Sequence, residues 1–341
     1  MPLIKNQHWI FRVPEFIKIQ VLFCQIIATV GIFIFTTINN KNWYILVIQF
    51  ILISYHLYLL ARYTKFYKSK IIKKSKLSTR KKQNFKIISA NVYQYNKNFS
   101  QFKDCIKKEK PDIFVTIESN KDWELAIREL EIEYPYSQKI TLENTYGMHL
   151  YAKIPFQKIN THYFIANDIP SIEAHFKTKN TEDFVVFCVH PPPPSPTEEK
   201  TSKERDGDLM CIAKHIKKIK KPILVIGDFN TVPWSNISKL FRKNTGLIDA
   251  RSGRGILASY HAKYWFFRIP LDLVFHNNTI LIKKLRVLKH IGSDHFPICC
   301  TFCVDSFNRK KNQKNITKKE KEETYNLIKK GKKETSNNRI N

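Results

Sequence analysis

Two uncharged stretches near the N-terminus set the strongest limit on what this chain can become. Ile19 to Ile38 is 20 consecutive, mainly apolar residues, and Trp43 to Ala61 is another 19, with no Asp, Glu, Lys or Arg in either. At about 1.5 Å per residue, each is long enough to cross a hydrocarbon core of about 30 Å as a helix. Asn39 to Asn42 forms a short polar turn between them, so the pair reads as a membrane hairpin. The first stretch is too long for a typical signal-peptide core and has no small-residue cleavage site. Gln20, Gln25, Gln49 and His56 are the polar exceptions.

Charge supports the same reading and orients it. Lys5 and Arg12 precede the hairpin, Lys41 stands alone in its turn, and ten basic residues with no acidic one lie between Arg62 and Lys82. The positive-inside rule then places both ends, and the rest of the chain, on the cytoplasmic side, at the inner membrane if the source is bacterial. Residues 62–83 are expected to be a basic linker suited to anionic lipid headgroups or to nucleic acid. Ser306 to Asn341 holds 12 basic residues against 4 acidic ones, so the tail 305–341 is expected to be basic and disordered, or loosely helical. These flanks carry more than half of the net charge of +29, and the middle of the chain is modestly basic. The seven cysteines show no disulfide-like spacing. Cys299, Cys300 and Cys303 lack a second Cys or His pair to complete a zinc cluster. They read as small buried hydrophobes in a reducing compartment.

From Phe85 the pattern is that of an α/β domain, and 341 residues leave room for one such domain plus appendages. Lys86–Val92, Asp112–Glu118, Gly147–Lys153, Ile172–Thr178, Asp183–His190, Leu271–His276, Thr279–Leu288 and Pro297–Val304 read as strands. Helical spacing marks Asn98–Lys110, the segment around Trp123, Ile127 and Leu130, and the segment around Leu209, Ile212 and Ile216. The stretch from Pro222 to Ser235, PILVIGDFNTVPWS, is a fully apolar strand followed by Gly227, Asp228, Phe229 and Asn230. Asp228 and Asn230 are two residues apart, so on an extended chain they share one face.

Other polar groups also stand at strand ends: Asn91, Glu118, His190, and Asp294 with His295 in GSDHFP. Asp272 interrupts the apolar run PLDLVF, and a carboxylate buried there needs a partner. An imidazole is the natural one, and a carboxylate-held histidine is a general acid/base or phosphate-contacting group. Carboxylate and amide oxygens without a Cys/His cluster point to Mg²⁺ or Mn²⁺ rather than Zn²⁺.

NVYQYN at 91–96, PDIFVTIE at 111–118, YGM at 146–148, VHPPPP at 189–194, GDFNTVPWS at 227–235, IPLDLVF at 269–275 and GSDHFP at 292–297 occur in one order. In this the chain resembles the endonuclease/exonuclease/phosphatase superfamily, the deoxyribonuclease I-like fold, and within it the bacterial branch with N-terminal membrane segments. The resemblance spans about residues 84–304. It implies a four-layer α/β sandwich of two mixed sheets and metal-dependent phosphoester chemistry. It further implies that Glu118, with Asn91 beside it and Asp294 contributing, holds Mg²⁺. Asp228 would deprotonate the attacking water and Asn230 would position it. His295, oriented by Asp272, would contact the scissile phosphate, and His190 would stabilise the transition state. Three positions depart from the family pattern: Ile117 stands where Gln is common, Tyr93 where Asp or Gln is, and Ala152–Lys153 where Ser-Arg is usual.

The first expectation is therefore a membrane-anchored phosphodiesterase acting on nucleic acid, because basic flanks suit a polyanion. Trp234 and Tyr260 are the candidate base-stacking residues. A phosphatase or phosphodiesterase acting on lipid headgroups, such as phosphoinositide or sphingomyelin, is the alternative; an active cleft with an apolar rim facing the bilayer would favour it. An inactive scaffold or lipid-binding module is the third, opposed by the intact set of polar residues.

Overall fold

The computed structural model describes residues 6–39, 43–67, 83–179, 182–305 and 316–334. Most of the expected basic linker, residues 68–82, lies outside the described residues.

A short helix α1 (Val13–Phe16) leads into α2 (Lys18–Asn39) and α3 (Trp43–Ala61), close to the expected bounds of the hairpin. Both long helices are apolar enough to cross a membrane and neither is covered by the rest of the protein. Phe23, Phe33, Trp43, Phe50 and Tyr58 are all more than half exposed, which rules out a pair of soluble core helices. The polar exceptions inside the spans partly satisfy one another, with His56 Nδ1 2.7 Å from Gln25 Oε1 across the two helices.

Twelve strands follow: β1 (Asn84–Asn91), β2 (Ile113–Ile117), β3 (Tyr136–Ile140), β4 (Met148–Ala152), β5 (Lys158–Tyr163), β6 (Pro170–Lys177), β7 (Asp183–Val189), β8 (Ile223–Asp228), β9 (Ile248–Asp249), β10 (Asp272–His276), β11 (Ile280–Val287) and β12 (Ile298–Val304). They form two six-stranded mixed sheets, ordered β11-β12-β1-β2-β4-β3 and β5-β6-β7-β8-β10-β9. The inner faces pack on each other through Ile87, Val115, Leu150, Ala174, Val186, Ile226 and Phe302. Helices cover the outer faces, which gives the expected four layers. On the first sheet lie α4 (Phe99–Glu109), held by Phe102 and Ile106, and α5 (Lys121–Ala126), held by Trp123. On the second lie α6 (Lys203–Ile216) and α7 (Asn236–Thr245), whose Leu209, Ile212 and Phe241 pack on Phe187 and Phe275.

Two strands escape a reading by periodicity, and one helix beyond those expected carries Ile237, Leu240 and Phe241 at helical spacing. β3 and β5 are edge strands with mixed burial, so neither shows an apolar run. That helix, α7, is marked by its ends as well, with Ser235 capping Ser238 N and Gly246 in the left-handed region at φ 72°.

Of the two readings of the tail, its described residues take the helical one. They carry α8 (Lys318–Lys333), opened by a Thr317/Glu320 capping box. Leu327 and Ile328 pack against the outer core of the second sheet, and Asn244 Nδ2 donates to Thr324 Oγ1 at 3.0 Å. The helix comes so close to α6 that a Cβ on Gly207 would lie 3.0 Å from Gly331 Cα. A lysine-rich composition concealed one narrow apolar face.

The hairpin is docked rather than tethered. Phe16, Ile19, Leu22, Leu60 and Tyr63 pack with Val232, Trp234, Ile269 and Leu271 of the α/β domain. Tyr63 Oη donates to the Pro233 carbonyl at 2.8 Å, and Trp234 Nε1 donates to the Glu15 carbonyl at 2.7 Å. Trp234, expected to stack on substrate, is 3 % exposed and serves as the socket for the hairpin's root.

Candidate active site

The site forms where matching strand ends of the two sheets meet. β1 and β2 run parallel with Asn91 beside Ile117, which delivers Asn91 and Glu118 to the same end. β7 and β8 run parallel with Val189 beside Gly227, and β10 lies antiparallel with Asp272 directly opposite Asp228. The approach of β7 to β8 requires glycine: a Cβ at position 227 would sit 2.0 Å from the Val189 carbonyl oxygen, and Gly227 has φ 150°. Gly227→Ala is expected to destabilise the domain by about 1–3 kcal/mol or more, seen as a lower Tm of the full chain in detergent.

Asn91 joins the two halves. Its Nδ2 donates to Glu118 Oε1 at 2.6 Å and to Asp228 Oδ2 at 3.2 Å. His295 Nδ1 is 2.8 Å from Asp272 Oδ2, and its Nε2 is 3.5 Å from Asp228 Oδ2. Asp228 Oδ1 accepts the Asn230 backbone N–H at 2.9 Å, while Asn230 Nδ2 donates to the Pro191 carbonyl at 2.9 Å. His190 is buried, with its Nδ1 unpartnered among the described residues and its ring 5.4 Å from Tyr146. Tyr260 is half-buried, its ring 4.9 Å from that of His295, and the Ala262 backbone N–H reaches the Asp294 carbonyl at 2.6 Å. Of the residues singled out from sequence, all but Trp234 come together here.

The charges are strongly perturbed. Burial opposes a charged His295, yet Asp272 and Asp228 overcome it and lift the imidazole to about 10. Burial pushes Asp228 up as well, while His295 draws it down. Burial lowers His190 to about 4, against the pull of Asp228, so it is a neutral imidazole. Burial raises Glu118 to about 8; the Asn91 hydrogen bond opposes this, and Asp294 and Asp228 add to it.

A divalent cation fits this donor set. Glu118, Asp294 and Asp228 present oxygens, Asn91 Nδ2 bridges Glu118 and Asp228, and Glu118 is crowded by two further carboxylates, the arrangement a hard cation relieves. Asp228, Asp272 and His295 also lie close enough together to hold an ion. An imidazolium whose Nδ1 already binds Asp272 is a poor ligand, so these three read as a hydrogen-bonded unit and the oxygens around Glu118 suit a cation better.

Several supporting residues gave no sequence signal. Ser293 Oγ donates to the Asn91 carbonyl at 2.8 Å, and buried Arg251 donates to the Asp272 carbonyl. Arg205 Nη1 donates to the Asn230 carbonyl at 3.0 Å from within α6. Its segment, SKERDGD, reads as a solvated helix start, yet Glu204, Arg205, Asp206 and Asp208 are all buried.

The sequence profile of the Endonuclease/Exonuclease/phosphatase family matches residues 88–295. This chain belongs to that family. It is a metal-dependent phosphoester hydrolase, which sets the inactive module aside. The fold agrees with solved structures at low identity. D. rerio TDP2, complexed with a single-strand DNA product, matches at TM-score 0.56 and 14 % identity over 64 % of this chain and 99 % of that one. The endonuclease/exonuclease/phosphatase from Bacteroides vulgatus matches at TM-score 0.54 and 18 % identity over 66 % and 100 %. The human Nocturnin catalytic domain with bound sulfate matches at TM-score 0.53 and 15 % identity over 65 % and 94 %. No curated protein matches the chain in sequence.

Proposed function

We propose that this family member is a membrane-anchored, Mg²⁺- or Mn²⁺-dependent phosphodiesterase that works at the bilayer surface on lipid phosphoester headgroups. The loop between Tyr260 and Arg268 supports that substrate class. At one end it lines the site through Tyr260 and Ala262. At the other it exposes Tyr264, Trp265, Phe266 and Phe267, with Trp265 79 % exposed. Gln20 Nε2, at the root of α2, donates to the Phe266 carbonyl at 3.1 Å. Four aromatic side chains beside the foot of two spanning helices match the headgroup-level belt of membrane proteins. Lys263 and Arg268 flank them with charge suited to anionic lipid. The cleft thus has the apolar rim on its hairpin side that a lipid substrate requires.

In this reading Glu118 and Asp294, with Asn91 beside them, would hold the divalent ion, which when bound would neutralise charge on a phosphoryl oxygen. Asp228, a carboxylate of raised basicity, accepts the proton of the attacking water, and the Asn230 turn holds that carboxylate in place. His295, kept protonated and oriented by Asp272, donates to a non-bridging oxygen of the scissile phosphate. Neutral His190 donates its remaining N–H to the same developing charge.

Nucleic acid is the second reading. Tyr93 and Tyr95 are exposed next to Asn91 with ring centroids 5.6 Å apart, a platform on which bases would stack.

The full chain reconstituted in vesicles of phosphoinositide or sphingomyelin is expected to release headgroups with Mg²⁺ or Mn²⁺ and to stop with EDTA. Supercoiled plasmid is assayed alongside. Replacing Trp265 and Phe266 by serine is expected to lower the ratio of vesicle rate to soluble aryl-phosphodiester rate at least tenfold, since burying even one such ring in the interface contributes about 1.5–3 kcal/mol. Metal-dependent plasmid nicking with intact vesicle lipid would put nucleic acid first.

A further inference from the structure

On the outer face of the second sheet, away from the catalytic strand ends, three histidines converge on one carboxylate. β5 and β6 pair antiparallel, with Asn160 opposite Glu173 and His162 opposite Ser171. Alternation sends Ile172, Ala174 and Phe176 into the core between the sheets, and Glu173 and His175 outward with His162. α6 lies on this face and brings His215 from its last turn. Glu173 Oε2 is 2.8 Å from His162 Nε2 and 2.6 Å from His215 Nε2, and its Oε1 is 2.6 Å from His175 Nε2. All three rings present the same nitrogen, and the ligand atoms of His162, Glu173 and His215 lie within 4.8 Å of one another.

We propose that His162, His215 and Glu173 form a second metal site, distinct from the catalytic one, that binds a zinc-class transition metal ion. The donor chemistry is the reverse of the active site's: imidazole nitrogens with one carboxylate suit Zn²⁺, Co²⁺ or Ni²⁺, and the oxygen set beside Glu118 suits Mg²⁺. Glu173 is buried at 5 % exposure, and its ion-pair partners among the described residues are these imidazoles, with no Lys or Arg. The rings are held in place. His162 is stacked between Phe164, at 5.4 Å and 17°, and Phe187, at 6.0 Å and 11°. The His162 and His215 side chains keep 22 % and 28 % exposure, which leaves an entry path and room for water in the fourth position. His175 either completes a tetrahedral set or orients the carboxylate from its other oxygen. Since α6 also carries Arg205, an ion here would clamp β5 and β6 to the helix that holds the Asn230 turn.

The test uses the full chain in detergent, stripped of metal and carrying Glu118→Gln and Asp228→Asn so that the catalytic site does not compete. Co²⁺ is expected to bind one equivalent with the intense visible bands of tetrahedral coordination, and Zn²⁺ to displace it. Adding His162→Ala with His215→Ala is expected to abolish those bands, and Glu173→Gln to weaken Co²⁺ binding at least tenfold. Each variant's Tm without metal establishes that it is folded. Weak octahedral bands from the folded parent, or tetrahedral bands that survive loss of both histidines, would overturn the site.

Discussion

Replacing His295 by alanine is expected to lower phosphodiester turnover by about a hundred- to ten-thousand-fold, the range for a group that donates or accepts a proton in the transition state. The loss should fall on kcat rather than on KM, because the imidazolium acts on charge that develops as the bond breaks. Asp272→Asn keeps the shape of the pair but removes the carboxylate that lies 2.8 Å from Nδ1 and keeps the ring charged. Its expected loss is of similar size, and the two losses should not add when combined, since both report one unit. Steady-state kinetics of the four proteins on a soluble aryl phosphodiester, at equal Tm, would decide it. A His295→Ala enzyme within a few-fold of the parent would remove His295 from the reaction, and fully additive losses would show that Asp272 does not act through it.

The second large effect lies outside the site. Arg205 donates through Nε and Nη2 to Asp206 Oδ1, at 3.0 and 2.7 Å, and both residues are 2 % exposed or less. Asp206 Oδ2 accepts from Gln7 Nε2 at 3.0 Å and Ser202 Oγ at 2.8 Å, with Arg12 at 3.6 Å. This cluster therefore ties the segment before the hairpin to α6 and, through Arg205, to the Asn230 carbonyl. Arg205→Met strands a buried carboxylate, a change that costs about 3–5 kcal/mol. For a domain of this size that is a fall in Tm of about 6–20 °C, measured on the full chain in detergent. A Tm within a degree of the parent would show that Gln7, Ser202 and Arg12 suffice. The same carboxylate sets an acid limit. Burial disfavours its charge, but Arg205 and Arg12 outweigh burial and hold it below the usual carboxylate range. Its folded pKa is depressed, so its contribution is complete above the unfolded value of about 3.9 and is lost as pH falls below that. Asp206→Asn should flatten this part of the acid-stability profile.

The cluster of polar groups at the candidate site was legible in the sequence for a physical reason. Buried apolar strands that end in Asn91, Glu118, His190 and Asp228, and a carboxylate inside PLDLVF, are costly unless the groups meet, so the pattern itself implies a site. The two apolar helices were legible because each is about 20 uncharged residues long. The edge strands β3 and β5 were not, since a strand with one wet edge and mixed faces loses its alternation. The docking of the lysine-rich α8 was not either, because Leu327 and Ile328 are too few to stand out among charges.

What the sequence determined alone was the chemistry: strand-end oxygens suited to a hard cation, a histidine needing a carboxylate, and two apolar helices in front. Tertiary packing decided everything that depends on residues far apart in the chain. It moved Trp234 from substrate contact to hairpin socket by placing Glu15 against it, and put Arg205 behind Asn230. It set the aromatic loop at the foot of α2 through Gln20 and gathered His162, Glu173 and His215 around one point. Periodicity reports which face of an element is buried, but not which distant side chain it is buried against, and that is settled when sheets and helices close on one another.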